Sequence, residues 1–311
     1  MKKPIFSIII PHKNCPKLLQ RCLDTIPRCE EIEVIVVDDS SDIGIIDRDT
    51  FPKGQYSNVN VILTKEGKGA GYARNIGVQC ARGRWLLFAD ADDYFTNDFF
   101  SVISEYRDSN YDIIFFSATS IYPETGELAI RHRKIQHSIE CAVKGDYSLV
   151  RYERASPIAK IIKSSLVKKY DIKFDEVIAS NDAYFSLQTG FWADKIYADP
   201  REIYVITVRK GSLEYTWSEQ ILLSRIFVDY RLNAFLRKNH INKRIRVLKH
   251  IIPLFKISKR VFIKEFFRYL IKDPVLAISD ILYYGYRIFV KIIIASKDSA
   301  RNRGQIRIEK K

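Results

Sequence analysis

Nothing in the cysteine pattern supports a metal framework or a set of disulfides. The five cysteines, Cys15, Cys22, Cys29, Cys80 and Cys141, are odd in number and include no CxxC pair, the spacing that zinc ribbons and redox motifs need. Cys15, Cys22 and Cys29 recur at seven-residue intervals and read as buried packing thiols. Sparse thiols suit a reducing compartment, so a cytoplasmic location is expected. Also missing is any stretch of eighteen apolar residues free of charge, so no spanning helix is predicted. The first apolar run stops at Pro11-His12-Lys13, too short for a secretory signal core. No GxGxxG follows that run and no GK[ST] closes a glycine stretch, which argues against a dinucleotide fold and a P-loop. His12, His132, His137, His240 and His250 show no ligand spacing, and no internal repeat or low-complexity segment is visible.

What is present describes a folded chain with two unlike parts. The 311 residues are 47% hydrophobic and 13% aromatic, enough to bury a sizeable core. From Arg225 onward there are 22 Lys or Arg against 6 Asp or Glu, a balance of +16, while everything before it balances at −2. Such asymmetry marks parts with different partners. In the first 120 residues, Ile5 to Ile10, Glu33 to Val37, Val59 to Leu63, Trp85 to Ala89 and Asp112 to Phe116 read as strands, being β-branched, apolar and bounded by turn residues. Lys17 to Ile26 and Ala70 to Ala81 carry helical faces between them. The alternation predicts an α/β fold, a mostly parallel sheet with helices on both faces. A further strand is expected at Ile203 to Val208. After Trp217 the pattern is helical to about Lys297, punctuated by Pro253 and Pro274. The expected organisation is a catalytic domain over 1–215, a basic amphipathic helical extension over 216–297 and a polar tail over 298–311.

Ligands bind at the carboxyl ends of strands in such sheets, and the chemistry-bearing residues cluster there. Pro11-His12-Lys13-Asn14 follows the first run, Asp38-Asp39-Ser40-Ser41 the second and Asp90-Ala91-Asp92-Asp93 the fourth. Converging carboxylates repel unless a cation or donors fill the space between them, and oxygen-only ligands suit Mg²⁺ or Mn²⁺. The glycine-rich run from Gly67 opens a helix that could cradle a phosphate, with Arg74 reaching the same anion.

Six segments in order, "SIIIPHKN", "EVIVVDDSSD", "GAGYARNIG", "ARGRWLLFADADDYF", "SNDAYFSL" and "YVITVRKGSL", resemble family 2 glycosyltransferases of the GT-A fold, over roughly residues 4 to 215. The resemblance implies that Pro11 to Asn14 and Asp38-Asp39 hold the nucleotide base and ribose. It implies that Arg74 lies near the phosphates, and that Asp90 and Asp92 are the metal-binding DxD pair for Mn²⁺ or Mg²⁺, with Asp92 the direct ligand. Asp182 matches the catalytic base, and Arg209 to Ser212 a loop closing over the donor. Where the family usually has a glutamate before the base, Asn181 stands here; Glu66 and Gly67 replace its usual asparagine.

The chemistry asks for the same parts. A nucleoside diphosphate leaves well only when its developing charge is neutralised. An acceptor hydroxyl needs a carboxylate to take its proton, and for inversion that carboxylate stands opposite the leaving group. Asp182 also fits a helix N-cap. The resemblance implies an inverting enzyme using a nucleotide-sugar donor, by default a UDP-sugar, and a lipid-linked or oligosaccharide acceptor in bacterial surface polysaccharide assembly. The rival readings are a sugar nucleotidyltransferase, which would carry a glycine-rich motif after the first strand, and an inactive membrane- or nucleic-acid-binding module. No nucleic-acid motif accompanies the basic region, so no nucleic-acid partner is expected.

The extension is expected to lie on an anionic membrane at the inner face of the cytoplasmic membrane. Lys256, Arg260, Lys264, Arg268 and Lys272 form a basic stripe, and Phe255, Phe262, Phe266 and Leu270 an apolar face. Asp280, Arg287 and Lys291 would share a wet face that keeps the last helix from crossing. The alternative is that these apolar faces pack on protein and the lysines are merely solvated.

Overall fold

The computed structural model describes residues 3–46, 51–52, 56–209 and 217–287. The chain divides into two compact units, Met1–Thr216 and Trp217–Lys311.

In the first unit the apolar runs become one eight-stranded sheet. Its strands are β1 (Phe6–His12), β2 (Ile32–Asp39), β3 (Val59–Thr64), β4 (Trp85–Phe88), β5 (Tyr94–Phe95), β6 (Ile113–Ile121), β7 (Lys160–Lys163) and β8 (Ile196–Thr207), in the order β3-β2-β1-β4-β7-β6-β8-β5. Only β7 and β5 run against the rest, since β7 pairs antiparallel with both β4 and β6, and β5 antiparallel with β8. The sheet is therefore mostly parallel, as its apolar strands require: both faces must be covered. Alternation sends Ile8, Ile10, Val34 and Val36 to one core and Ile9, Ile35 and Val37 to the other. Helix α1 (Pro16–Asp24) covers the first face with Leu19, Cys22 and Leu23, and α3 (Phe99–Ser104) joins it. Helices α2 (Ala70–Cys80), α4 (Arg133–Val143), α5 (Ser148–Tyr152), α6 (Ser164–Lys169) and α7 (Ala183–Trp192) contribute to the second. All five cysteines are free; Cys22 is fully buried as a packing thiol, whereas Cys15 and Cys29 are only half-buried against the same core.

Several expectations shift. β1 and β2 run through His12 and Asp39, so Pro11-His12 and Asp38-Asp39 are the last residues of their strands and not the turns after them. β8 begins at Ile196, well before Ile203; the register with β6 slips between Phe116 and Ser117, opposite Pro200 and Arg201, where proline has no N–H to give a ladder, and again between Ser117 and Ala118, opposite Ile203. β7, KIIK, has only two apolar residues between lysines, too short a run to show periodicity.

The second unit is helical: α8 (Glu219–Lys238), α9 (Leu248–Ile251), α10 (Leu254–Ile257), α11 (Lys259–Lys272) and a helical stretch over 274–287. It has its own core of Leu222, Ile226, Val247, Leu248, Ile251, Leu254, Tyr269, Leu276 and Ala277. The helices break near Pro253 and Pro274, as expected, and also between Lys238 and Leu248, where no proline stands. α8 ends where His240 takes a left-handed conformation at φ +56°, and Asn233 holds the break through hydrogen bonds to both the amide (2.7 Å) and the carbonyl (2.8 Å) of Ile245. Ser258 caps α11 by accepting from the Val261 amide. The polar tail 298–311 lies outside the described residues.

Candidate active site

Six segments meet at the carboxyl edge of the parallel strands. At the end of β1, Asn14 sits at φ +57°, a conformation asparagine tolerates. Its amide donates to Ser41 Oγ (2.8 Å), its side-chain amide to Asp42 (2.9 Å), and its carbonyl oxygen accepts from the Asp42 amide (2.8 Å). These bonds tie the β1 and β2 ends into one rim beside half-buried Pro11.

The acidic pair on β2 is buried, Asp38 at 1% and Asp39 at 2% exposure. Asp38 accepts from Ser41 N (3.0 Å) and Ser41 Oγ (2.5 Å), and pairs with His12 Nδ1 (2.7 Å). Nε2 of His12 lies 3.2 Å from the Cys15 amide nitrogen; burial opposes the charged ring, but the hydrogen bond to Asp38 outweighs it and the His12 pKa is raised to about 9. Burial works against ionised Asp38, but the His12 and Ser41 bonds outweigh it and hold the carboxyl below the usual range. Asp39 accepts from Thr64 Oγ1 (2.9 Å) and the Gly69 amide (2.5 Å), joining the ends of β2 and β3 to the start of α2. Both acids thus build the wall of the site, their four oxygens already engaged by protein.

The turn after β4 holds Asp90, Asp92 and Asp93 with carboxylate oxygens within 4.8 Å of one another. Thr207 fixes it from β8: its amide donates to Asp93 (2.8 Å) and its hydroxyl to the Asp92 carbonyl (2.8 Å). Tyr204 adds a third tie, its hydroxyl accepting the Asp90 amide (2.9 Å). Burial, then the charges of Asp90 and Asp92, push the Asp93 carboxyl well above the ordinary range. Three crowded oxygen donors, two of them part-exposed, fit a hard divalent cation. Asp92 also pairs with Arg209, the one residue of the expected donor loop that the structure describes; Lys210, Gly211 and Ser212 lie outside the described residues.

Arg74 links this turn to the opposite wall. The residue is 6% exposed, and its guanidinium donates to Asp90 (2.6 Å) and to Asn181 Oδ1 (2.8 Å) and lies 5.5 Å from the Phe174 ring centroid. The approach depends on Gly71: a Cβ there would stand 2.0 Å from the Asp175 carbonyl oxygen, so any larger residue would push α2 away. Asp182 follows Asn181 at the head of α7. It occupies the N-cap position but makes no side-chain cap bond, so capping does not account for its carboxylate. Burial raises its pKa, Arg74 opposes, Asp90 adds to the rise, and the net shift is upward.

The structure thus brings Asp90, Asp92, Arg74, Asp182 and Arg209 together at the carboxyl edge of the sheet and sets Pro11, Asn14, Asp38 and Asp39 along the β1 and β2 ends. Sequence reading did not single out Tyr204, Thr207 or Arg21, whose guanidinium donates to the Asp92 carbonyl. Their roles depend on partners far away in the chain.

An acidic turn after the fourth strand, a glycine-led helix and a late carboxylate on a mostly parallel sheet define a GT-A fold, here with a helical C-terminal extension. Residues 7–151 match the model for glycosyl transferase family 2, and this segment belongs to that family. The putative glycosyltransferase EpsH of Bacillus subtilis is 21% identical over 251 residues, 77% of this chain and 71% of the relative. The poly(ribitol-phosphate) beta-glucosyltransferase of Bacillus spizizenii is 30% identical over 66% of this chain, which spans 32% of it. The Staphylococcus aureus poly(ribitol-phosphate) beta-N-acetylglucosaminyltransferase TarS is 26% identical over 76% of this chain and 42% of its own length. Of solved structures, S. aureus TarS 1–349 in complex with UDP-GlcNAc superposes with a TM-score of 0.59 at 20% identity, covering 83% of this chain and 72% of that one.

Proposed function

We propose that this chain is an inverting glycosyltransferase that moves a sugar from a UDP-sugar to a hydroxyl of a polymer- or lipid-linked acceptor, in the assembly of a bacterial surface polysaccharide. The observation that carries this reading is the Arg74 bridge, which joins the acidic turn at Asp90 to the Asn181-Asp182 wall. A leaving-group site and a proton acceptor on opposite sides of one cleft are what displacement with inversion requires. The names of the relatives support the donor and acceptor classes: TarS is solved with UDP-GlcNAc, and two relatives act on poly(ribitol-phosphate).

In this reading the nucleotide lies along the β1 and β2 ends. Pro11 and Asn14 form the rim, with Asp38 and Asp39 behind it. Asp92, with Asp90, would hold Mn²⁺ or Mg²⁺, which when bound neutralises the diphosphate as a Lewis acid. Arg74 and Arg209 supply fixed positive charge at the same edge. Asp182 accepts the acceptor hydroxyl's proton as the new bond forms and the diphosphate departs. Its upward-shifted pKa makes it a stronger base than a solvated aspartate. The test is a donor screen with Mn²⁺ present, measuring nucleotide release. Release from UDP-sugars is expected, and release from no nucleotide sugar overturns the proposal.

We further propose that the second unit seats the enzyme on an anionic membrane surface at the cytoplasmic face. Among the described residues no helix is long and apolar enough to cross a membrane. Of the face expected to meet lipid, Phe255 is exposed, whereas Phe262, Phe266 and Leu270 pack against the unit's own core. The exposed apolar set is instead Ile263, Phe267 and Ile271 on α11, with Val275, Ile278 and Leu282 beyond it. Asp280 is fully buried, bonded to Arg246 (2.8 Å), the Leu248 amide (3.2 Å) and Tyr269 (2.9 Å), and so does not share a wet face with exposed Arg287; Lys291 lies outside the described residues. Lys256, Arg260, Lys264, Arg268 and Lys272 are all exposed near this apolar set, and each contributes about 1 kcal/mol near anionic lipid. The full chain is expected to sediment with phosphatidylglycerol vesicles at low salt and to be released at high salt. The double variant Phe267→Glu, Ile271→Glu should stay in the supernatant; equal sedimentation of both proteins, or of neither, overturns the membrane assignment.

A further inference from the structure

Phe174 is buried but belongs to no strand. It is 2% exposed and lies on the segment between α6 and α7. Buried main-chain amides and carbonyls need partners, and Asn75 of α2 supplies both. Its Oδ1 accepts from the Phe174 amide (2.9 Å) and its Nδ2 donates to the Phe174 carbonyl (3.0 Å), with a longer contact to Glu176 (3.5 Å). One turn earlier on the same face of α2, Gly71 leaves room for the Asp175 carbonyl. α2 thus grips two successive residues of this segment.

The Phe174 ring stands between the two sides of the site. It stacks on Phe185 of α7 at 3.9 Å and an interplanar angle of 10°, and it meets Phe88 of β4 edge-on at 5.0 Å. Phe185 is about one turn past Asp182, and Phe88 comes two residues before Asp90. The segment also closes on itself, the Asp175 amide donating to the carbonyl of Asn181 (3.0 Å), the neighbour of Asp182. Arg74 reaches the Asn181 side chain from the same helix as Asn75. A ring packed against both β4 and α7 sets their spacing, because a close-packed interior transmits any shift of it. The two bonds to Asn75 fix where that ring sits.

We propose that Asn75 is a positioning residue for transfer: by pairing with both main-chain groups of Phe174 it fixes the ring that spaces α7 from β4, and so holds Asp182 where it can take the proton of the acceptor hydroxyl. This rests on Asp182 being the base. An asparagine side chain offers a donor and an acceptor together, whereas ionised aspartate only accepts and alanine offers neither.

The test is a double-mutant cycle on single-turnover transfer, with UDP affinity measured beside it. Asn75→Ala should slow transfer by about 10²-fold, the scale of a 1 Å misplacement, and Asn75→Asp, which keeps the acceptor and loses the donor, by about tenfold. UDP should bind both variants as it binds the wild type. In an Asp182→Asn background each substitution should cost about threefold or less, because a displaced base matters only while there is a base. A merely structural role would slow both backgrounds by the same factor. Equal losses in the two backgrounds, wild-type transfer by both Asn75 variants, or UDP affinity falling as far as transfer does overturn the role of Asn75. Should Asn75→Ala fail to fold, the cycle with Asn75→Asp decides. A wild-type rate for Asp182→Asn alone overturns the base instead.

Discussion

Asp92→Ala is expected to lower sugar transfer by about three powers of ten while the protein melts within a few degrees of wild type. The two halves of this expectation come from different contacts. The Asp92 main chain anchors the turn, its carbonyl accepting from Thr207 and Arg21, and alanine keeps that anchor. The carboxylate is part-exposed and, among the described residues, pairs with Arg209, a class of contact worth roughly 0–1 kcal/mol. What is removed is an oxygen ligand from the three-carboxylate cluster, and with it the charge neutralisation that a departing diphosphate depends on. Asp90→Ala should differ, because it also releases Arg74 from the bridge to Asn181; its loss should extend to the acceptor side. Transfer assays with excess EDTA and with Mn²⁺ or Mg²⁺ restored check the metal requirement. Full activity in EDTA, or a wild-type rate for Asp92→Ala, refutes it.

Asp182→Asn should cost about 10² to 10⁴ in kcat, the usual scale for losing a general base, with donor affinity kept. Asparagine preserves the shape and the N-cap position, and the aspartate makes no cap bond that could be lost. Stability should therefore change little, which separates this variant from one that merely unfolds α7. Single-turnover transfer beside UDP binding makes the distinction. A variant that transfers at the wild-type rate would move the base elsewhere, with Asp175 and Glu176 the nearest acidic residues on the same segment.

Local pattern was enough to read most of the sheet and the placing of its acids. β-branched runs form strands because their side chains suit a pleated, doubly covered surface, and a strand's end is set by neighbours in sequence. That is why Asp38-Asp39 and Asp90-Asp92 could be assigned to one edge without knowing the strand order. The same reasoning stopped at β7, where Lys160 conceals a strand start, and at β8, whose first residues from Ile196 precede the strand expected at Ile203.

The sequence by itself determined the class of fold, the edge at which chemistry takes place and the basic character of the helical extension. The tertiary structure alone decided which side chains act together. Arg74 meets Asn181 across 107 residues because Gly71 lets α2 approach the Asp175 carbonyl. In the extension, periodicity showed that α11 has apolar and basic faces, but only packing decided that Phe262 and Phe266 turn inward, Ile263 and Phe267 stay exposed and Asp280 is buried. The physical reason is the same in each case. A residue's period sets the face it occupies, whereas burial and ionisation depend on the element opposite, which lies far away in the chain.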